Sequence, residues 1–347
     1  MKMNKYIILA AALLSFVSCG RTVATRQHEA DKLSFDAWVT VQKQQHPEYL
    51  WNQTELGSWI LEEKVGGGDL VDTDIDSLYA RVNYTVRNTS GTITGTTVAK
   101  VAQQLGTYNE TSYYGPSIWF VDGVYAGIEE LMSGMRDGGV RRAAVPGWLL
   151  TYTRYDSPDK YLNDSTSRSA AIYEIEMVEH FCNTDTWELD SVSRYLVRNF
   201  PERYGKDAVR ARADSAGAHG FYYVQTGKPS VSEEIKDSTV YVNYIGRLLN
   251  GRVFDTTIRD TAIYWGIYNS SRTYEPVSVT YGSKWSDVKM GSNSVVEGFA
   301  RTLFSMKPGE KGVGIFYSPL GYNTKGSGSS IPGYSPLRFD IELVAKP

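Results

Sequence analysis

From Ser34 the positions Phe35, Trp38, Val39 and Gln42 fall on adjacent turns, which predicts a helix ending before His46-Pro47. The same period returns between Asp185 and Phe200, where Leu189, Val192, Leu196 and Val197 form one stripe, Asp185 or Thr186 supplies a cap, and Pro201 follows the end. After each helix the period falls to two. Residues from Gly57 to Cys182 and from Gly220 to Pro347 read as β-rich, each with one short internal helix. In the second stretch Val240, Val242 and Tyr244 alternate with polar or less buried positions, Asn250-Gly251 supplies a hairpin turn, and Phe254-Asp255 lie on the return strand. A twisted hairpin of this kind brings a phenol, an aromatic ring and a carboxylate over one sheet surface. Further on, Phe299, Leu303 and Met306 share one side of a short helix stopped by Pro308-Gly309-Glu310. In the last strand, Leu337 to Leu343, apolar residues alternate strictly with charged ones, as in a half-exposed antiparallel strand.

The two β-rich stretches repeat one another. Ala80-Arg81-Val82-Asn83-Tyr84 aligns with Val240-Tyr241-Val242-Asn243-Tyr244, Gly127-Ile128 with Gly298-Phe299, and Ile172 to Val178 with Arg338 to Val344. Spacings that differ by a few residues mean common strands joined by unequal loops, and the preceding helices correspond as well. The predicted architecture is therefore α+β, one helix-plus-sheet unit used twice.

A net charge of −3 gives no basic footprint, which argues against nucleic acid as a partner. With 25 tyrosines and 32 glycines the composition favours sheets and turns over long helices. Lys2 and Lys5, the apolar run Tyr6 to Leu14 and then Ser15-Phe16-Val17-Ser18-Cys19 read as an export signal over residues 1–19, too short for a membrane-spanning helix. Small residues before a cysteine resemble a bacterial lipobox, which implies a lipid on Cys19. Removal of the signal leaves Cys182 as the one other cysteine, expected as a buried thiol at a strand end with no intrachain disulfide. Residues 20–56 read as a tether and the first helix, and 183–219 as a helical linker.

Residues 220–347 resemble the FKBP-type peptidyl-prolyl isomerases. The resemblance rests on Tyr244-Ile245-Gly246 with Phe254-Asp255, Val295-Val296-Glu297-Gly298-Phe299 entering the helix, Met306-Lys307-Pro308-Gly309-Glu310, Ser318-Pro319-Leu320-Gly321-Tyr322, Ile331-Pro332 and Leu337 to Leu343, all in family order. It implies two tandem FKBP-like domains, each a twisted antiparallel sheet wrapped around a short helix. It also implies a pocket in the second: Tyr244, Phe254, Asp255, Tyr322 and Phe339 as catalytic residues, with Val295, Val296, Phe299 and Ile331 holding substrate. Phe299 stands where the family usually has tryptophan, and residues 258–274 read as an insertion beside the pocket. No cofactor is implied, and the family pocket accepts FK506-like macrolides.

Residues 57–182 read as a degenerate copy. Thr94 and Gly95 stand at the Phe254 and Asp255 positions, Ile128 replaces the aromatic floor, and Leu149 falls where Tyr322 would be. This unit is expected to keep the scaffold, lose the pocket and be inactive. Gly66-Gly67-Gly68 lacks the lysine and hydroxyl of a phosphate loop, and His28, His46, His180 and His219 lack metal-ligand spacing and are expected at the surface. Asp190-Ser191-Val192 and two similar tripeptides resemble O-glycosylation acceptors of exported Bacteroidota proteins. The combined expectation is an envelope lipoprotein, anchored through its N-terminal lipid on the periplasmic face, whose second domain isomerises X-Pro bonds in exported polypeptides. The alternative is a scaffold or chaperone lipoprotein that binds proline-containing segments without turnover.

Overall fold

The computed structural model describes residues 28–166, 168–204, 219–230 and 239–347. The export signal, Cys19, the start of the tether and residues 205–218 of the linker lie outside these residues. The chain divides into two compact units, one taking in residues up to Ala102 with Gly115–Cys182, the other Gln103–Tyr114 with Asn183–Pro347.

In the first unit, residues 28–45 are helical. Phe35 and Val39 are buried in the unit's core, with Phe35 edge-on to Trp148 at 5.7 Å. The sheet runs in the order Asn52–Gln53, Trp59–Lys64, Val140–Val145, Ala171–Phe181, Tyr79–Asn88, and the last of these carries Ile93–Thr96 and Ser117–Phe120 along it. All of these pairings are antiparallel. The short helix Ala126–Met132 buries Ala126, Gly127, Ile128, Leu131 and Met132 against the sheet.

The second unit repeats the plan. Thr184–Asn199 is a helix whose Val192 and Leu196 are fully buried beside Tyr222, Val224, Val313 and Ile315. Its cap is Asn183, whose side chain accepts from the Thr186 N–H at 3.0 Å, in place of the Asp185 or Thr186 expected. An asparagine just outside the periodic stretch fills the role because the capping oxygen must come from a residue with extended backbone. The central strands run Val277–Thr280, Thr239–Leu248, Leu337–Val344, Lys311–Phe316, Phe221–Gly227, with Val253–Thr256 on Thr239–Leu248. Burial along Leu337–Val344 alternates residue by residue, as its apolar-charged pattern predicts. Phe299, Leu303 and Met306 all lie at 3 % exposure or less, so the predicted stripe of helix Glu297–Phe304 is the face packed on the sheet.

Two further expectations change. Cys182 is exposed, because the strand ends at Phe181 and the thiol falls beyond the core. His180 is half-buried, its Nδ1 at 2.8 Å from an Asp137 carboxylate oxygen. The stretch 258–274, read as an insertion relative to the family, holds a helix, Arg259–Tyr264, and a matching helix, Ala99–Gln104, lies in the other copy. Among the described residues no helix is long and apolar enough to cross a membrane, and no three His, Cys, Asp or Glu side chains gather as a metal site.

Candidate functional site

The hairpin turn of the second unit forms as its residues dictate: Gly251 has φ +91°, and the Asn250 side chain accepts from the Arg252 N–H at 3.0 Å. On the return strand Val253 pairs with Arg247, but Asp255, two residues on, pairs with Gly246, one residue on. Phe254 is the extra residue of a β-bulge. In a regular strand Phe254 and Asp255 would face opposite sides of the sheet; the bulge turns both toward the same concave side. Phe254 meets Phe339 edge-on at 5.6 Å, while Asp255 accepts a hydrogen bond from the Tyr244 hydroxyl at 2.6 Å.

Phe339 is the hub of the ring cluster. Phe299 packs edge-on against it at 5.1 Å, Tyr244 tilts toward it at 6.1 Å, and Phe316 stacks behind it at 5.9 Å. The cluster closes this tightly because residue 246 is glycine: a Cβ there would lie 2.7 Å from Phe254 and 2.9 Å from Phe339. Ile331 is buried in the same core, and Val295, Val296 and Tyr322 are half-buried against it. The residues predicted from the sequence therefore gather in one apolar cluster with one acid at its edge.

Arg272 was not among them. Its guanidinium donates to the second oxygen of Asp255 and, at 3.4 Å, approaches the Tyr244 hydroxyl. Asp255 is thus fixed from both sides by a cation and a phenol, and its charge is balanced where it meets the aromatic wall. Burial, then the Asp255 charge, pushes the Tyr244 hydroxyl far above the ordinary phenol range, so it stays protonated and keeps donating. Burial raises Tyr322 too, with the Asp255 charge second, so its phenol stays protonated. The one sequence signal for Arg272 was the cationic and aromatic content of 258–274; a loop residue's direction has no periodicity to reveal it.

The loop bearing Tyr322 is anchored from behind. Glu188, on helix Thr184–Asn199, is 2 % exposed and accepts from the Ser318 N–H at 2.5 Å and the Ser318 hydroxyl at 2.7 Å. The segment Gln103–Tyr114 of this unit also borders the site's framework: the Tyr113 N–H donates to the Ser329 carbonyl at 2.7 Å, two residues before Ile331, and Tyr113 is half-buried against the unit's core.

In the first unit Gly95 pairs with Val86 as Asp255 pairs with Gly246, and Thr94 is again the bulged residue. The expected loss of the pocket does not occur. A cavity of about 460 Å³ lies here, lined by Thr94, Gly95, Val86 and Ile128 and walled by Tyr84, Trp119, Tyr125, Tyr152 and Tyr173. Leu149 does not take Tyr322's place, because it is fully buried in the core; Tyr152 reaches the cavity three residues later. Small residues at the bulge open space, and aromatic side chains from other strands and loops surround it.

Residues 232–344 match the family described as FKBP-type peptidyl-prolyl cis-trans isomerase. Peptidyl-prolyl cis-trans isomerase FKBP11 of Bos taurus is 30 % identical over 122 residues, 35 % of this chain and 49 % of the bovine protein. FK506-binding protein 2 of Dictyostelium discoideum is 33 % identical over 103 residues, 30 % of this chain and 61 % of that protein. A probable FKBP-type peptidyl-prolyl cis-trans isomerase of Haemophilus influenzae is 23 % identical over 190 residues, 53 % of this chain and 69 % of its own length. The chain thus spans about half the length of the bovine relative and less than two thirds of the Dictyostelium one.

Proposed function

We propose, from the premise that residues 232–344 belong to the FKBP-type peptidyl-prolyl cis-trans isomerase family, that the second unit turns X-Pro bonds of exported polypeptides between cis and trans, and that the first unit does not. The observation that carries this reading is the balanced acid at the edge of a ring cluster: Asp255 between Tyr244 at 2.6 Å and Arg272, beside Phe254, Phe299 and Phe339.

The barrier to be lowered is about 18–20 kcal/mol, set by amide resonance. No covalent step is needed. The planar amide carries the larger dipole, and a dry aromatic wall solvates it poorly, so the twisted amide is the better-bound form there. Phe254, Phe299 and Phe339 hold the proline ring, with Val295, Val296 and Ile331 around it. Tyr322 donates to a substrate carbonyl. Asp255, paired by Tyr244 and Arg272, presents a fixed dipole toward the amide rather than a free charge. Each 1.4 kcal/mol or so of preference for the twisted form gives about a factor of ten in rate.

The sequence of residues 1–19 supports a lipid anchor on Cys19 and a place in the cell envelope, on the periplasmic face. The test is cis-to-trans relaxation of a proline peptide with the full chain and its Asp255→Ala and Phe254→Ala variants. Acceleration by the parent that both variants lose supports the isomerase; a parent rate at background, with peptide still bound, favours the scaffold alternative. Labelling of Cys19 by a fatty-acid probe in an expressing bacterium, absent in Cys19→Ala, checks the anchor.

A further inference from the structure

Helix Thr184–Asn199 precedes the residues that match the family, yet it reaches two of the elements that build the second unit's site. Its Val192 and Leu196 pack behind the sheet with Val313 and Ile315. From the same helix the Tyr195 hydroxyl accepts from the Arg338 guanidinium at 2.7 Å, one residue before the hub Phe339. One turn before Val192 stands Glu188, which is 2 % exposed. An acid buried this far carries a desolvation cost that an apolar residue on the same stripe would avoid.

Its partner is the base of the loop that carries Tyr322. Ser318–Leu320 is a short 3₁₀ turn, and Tyr317 before it offers no side-chain cap. Within the turn the Leu320 N–H donates to the Tyr317 carbonyl at 3.2 Å and the Gly321 N–H to the Ser318 carbonyl at 2.8 Å, while Pro319 has no N–H. The Ser318 N–H needs an acceptor from elsewhere. Glu188 gives one oxygen to that N–H at 2.5 Å and the other to the Ser318 hydroxyl at 2.7 Å. Two bonds from one residue of a packed helix fix both the place and the rotation of the turn's first residue.

The first unit builds this corner differently. Its turn Gly147–Leu149, at the same distance past strand Val140–Val145, begins with glycine where Ser318 stands, and its helix meets the turn through Phe35, edge-on to Trp148 at 5.7 Å. Acid and hydroxyl thus accompany the copy whose loop carries Tyr322.

We propose that Glu188 is a positioning residue for substrate binding: from outside the family-matching residues it sets, through Ser318, where the Tyr322 hydroxyl meets the substrate carbonyl. This rests on the role given above to Tyr322. Because that hydrogen bond is made to the planar and the twisted amide alike, its loss falls on KM and leaves kcat nearly unchanged.

The test uses the full chain and its Glu188→Ala, Glu188→Gln, Tyr322→Phe and Glu188→Ala/Tyr322→Phe variants, each well below its unfolding midpoint. In the first minutes of hydrogen exchange read by mass spectrometry, Glu188→Ala is expected to expose the amides of residues 318–326 while strands Lys311–Phe316 and Leu337–Val344 stay as protected as in the parent. The same variant is expected to raise KM for an Ala-Leu-Pro-Phe peptide about fivefold with kcat within about twofold. Glu188→Gln, whose amide oxygen still accepts from the Ser318 N–H, is expected to stay within about twofold of the parent. With Tyr322→Phe already in place, adding Glu188→Ala is expected to change KM by less than about twofold, because the hydroxyl it places is gone. If the parent shows no turnover, the isomerase reading fails and the same ratios are read from the peptide Kd, where the proposal stands or falls unchanged. The proposal is overturned if the loop amides exchange as in the parent, if the strands open in the same minutes, if glutamine behaves as alanine, or if the loss is equally large in the Tyr322→Phe chain.

Discussion

The two units share a strand order, a bulge and a central helix, and differ in what the bulge presents. In the second unit it presents Phe254 and Asp255 over Gly246; in the first, Thr94 and Gly95 over Val86. The exchange is reciprocal: where the bulged residue is large, the residue beneath it has no side chain, and where the bulged residue is small, a valine fills in. Arg272 belongs to the same exchange, since Ser112 holds its place in the repeat. Acid and counter-cation are present together in one copy and absent together from the other. The two charges are partly exposed and paired, so losing one would leave the other beside the rings without its partner.

The largest effect that would break this comparison lies at the bulge. Asp255→Ala and Phe254→Ala are each expected to lower kcat/KM by about a hundredfold, or roughly 3 kcal/mol of transition-state preference, whereas Thr94→Ala and Gly95→Ala should leave it unchanged. Alanine fits at 95, where a Cβ meets nothing within 4 Å. A fall in rate from either first-unit variant would mean that both copies turn over substrate. Next comes the reciprocal residue. Gly246→Ala drives a Cβ into Phe254 and Phe339 and is expected to cost about 1–3 kcal/mol in thermal unfolding and most of the activity; Val86→Ala should cost about 1 kcal/mol or less and leave activity alone. A smaller effect is expected from Arg272→Gln, which keeps a donor near Asp255 and removes the charge. A fall of about fivefold to tenfold in kcat/KM, carried by kcat, would mark Arg272 as setting the field at the acid.

The smallest effect concerns the anchored loop. Burial raises the Glu188 carboxyl above its usual range, with the two bonds from Ser318 opposing. Folding therefore favours the protonated form: this contribution is fully present below the unfolded value of 4.5 and is lost as pH rises through the higher folded value. Glu188→Gln keeps an acceptor for the Ser318 N–H and should flatten the stability of the second unit above pH 4.5, with a net change of about 1 kcal/mol or less at pH 7. Glu188→Ala strands the Ser318 N–H and should cost about 1–3 kcal/mol at the same pH. Urea titrations of the two variants at several pH values measure the difference.

Much of this arrangement was legible in the residues. The alternating closing strand, the helical stripe of Phe299, Leu303 and Met306, and the Asn250-Gly251 turn follow from periodicity and turn chemistry, and Tyr244, Phe254, Asp255 and Phe339 then meet because one hairpin and its neighbour carry them. Arg272, Glu188 and the Trp119 and Tyr152 walls of the first cavity were not legible. Arg272 reaches the acid from a loop, and Glu188 interrupts an otherwise ordinary amphipathic helix, where an acid reads as solvent-facing until Ser318 is placed against it. In the first unit Thr94, Gly95 and Leu149, taken position by position, suggest an empty scaffold. The replacing rings come from positions the comparison did not pair: Trp119 on a neighbouring strand and Tyr152 after the core residue Leu149.

The shared bulge has a consequence for how such a chain can change over generations. Because it turns consecutive residues to the same side, two adjacent codons decide what the bulge presents, with the strand pairing around them untouched. A duplicated unit can change what the bulge presents while the sheet that carries it keeps its register. Tandem copies then become a source of paired specialists from one inherited frame.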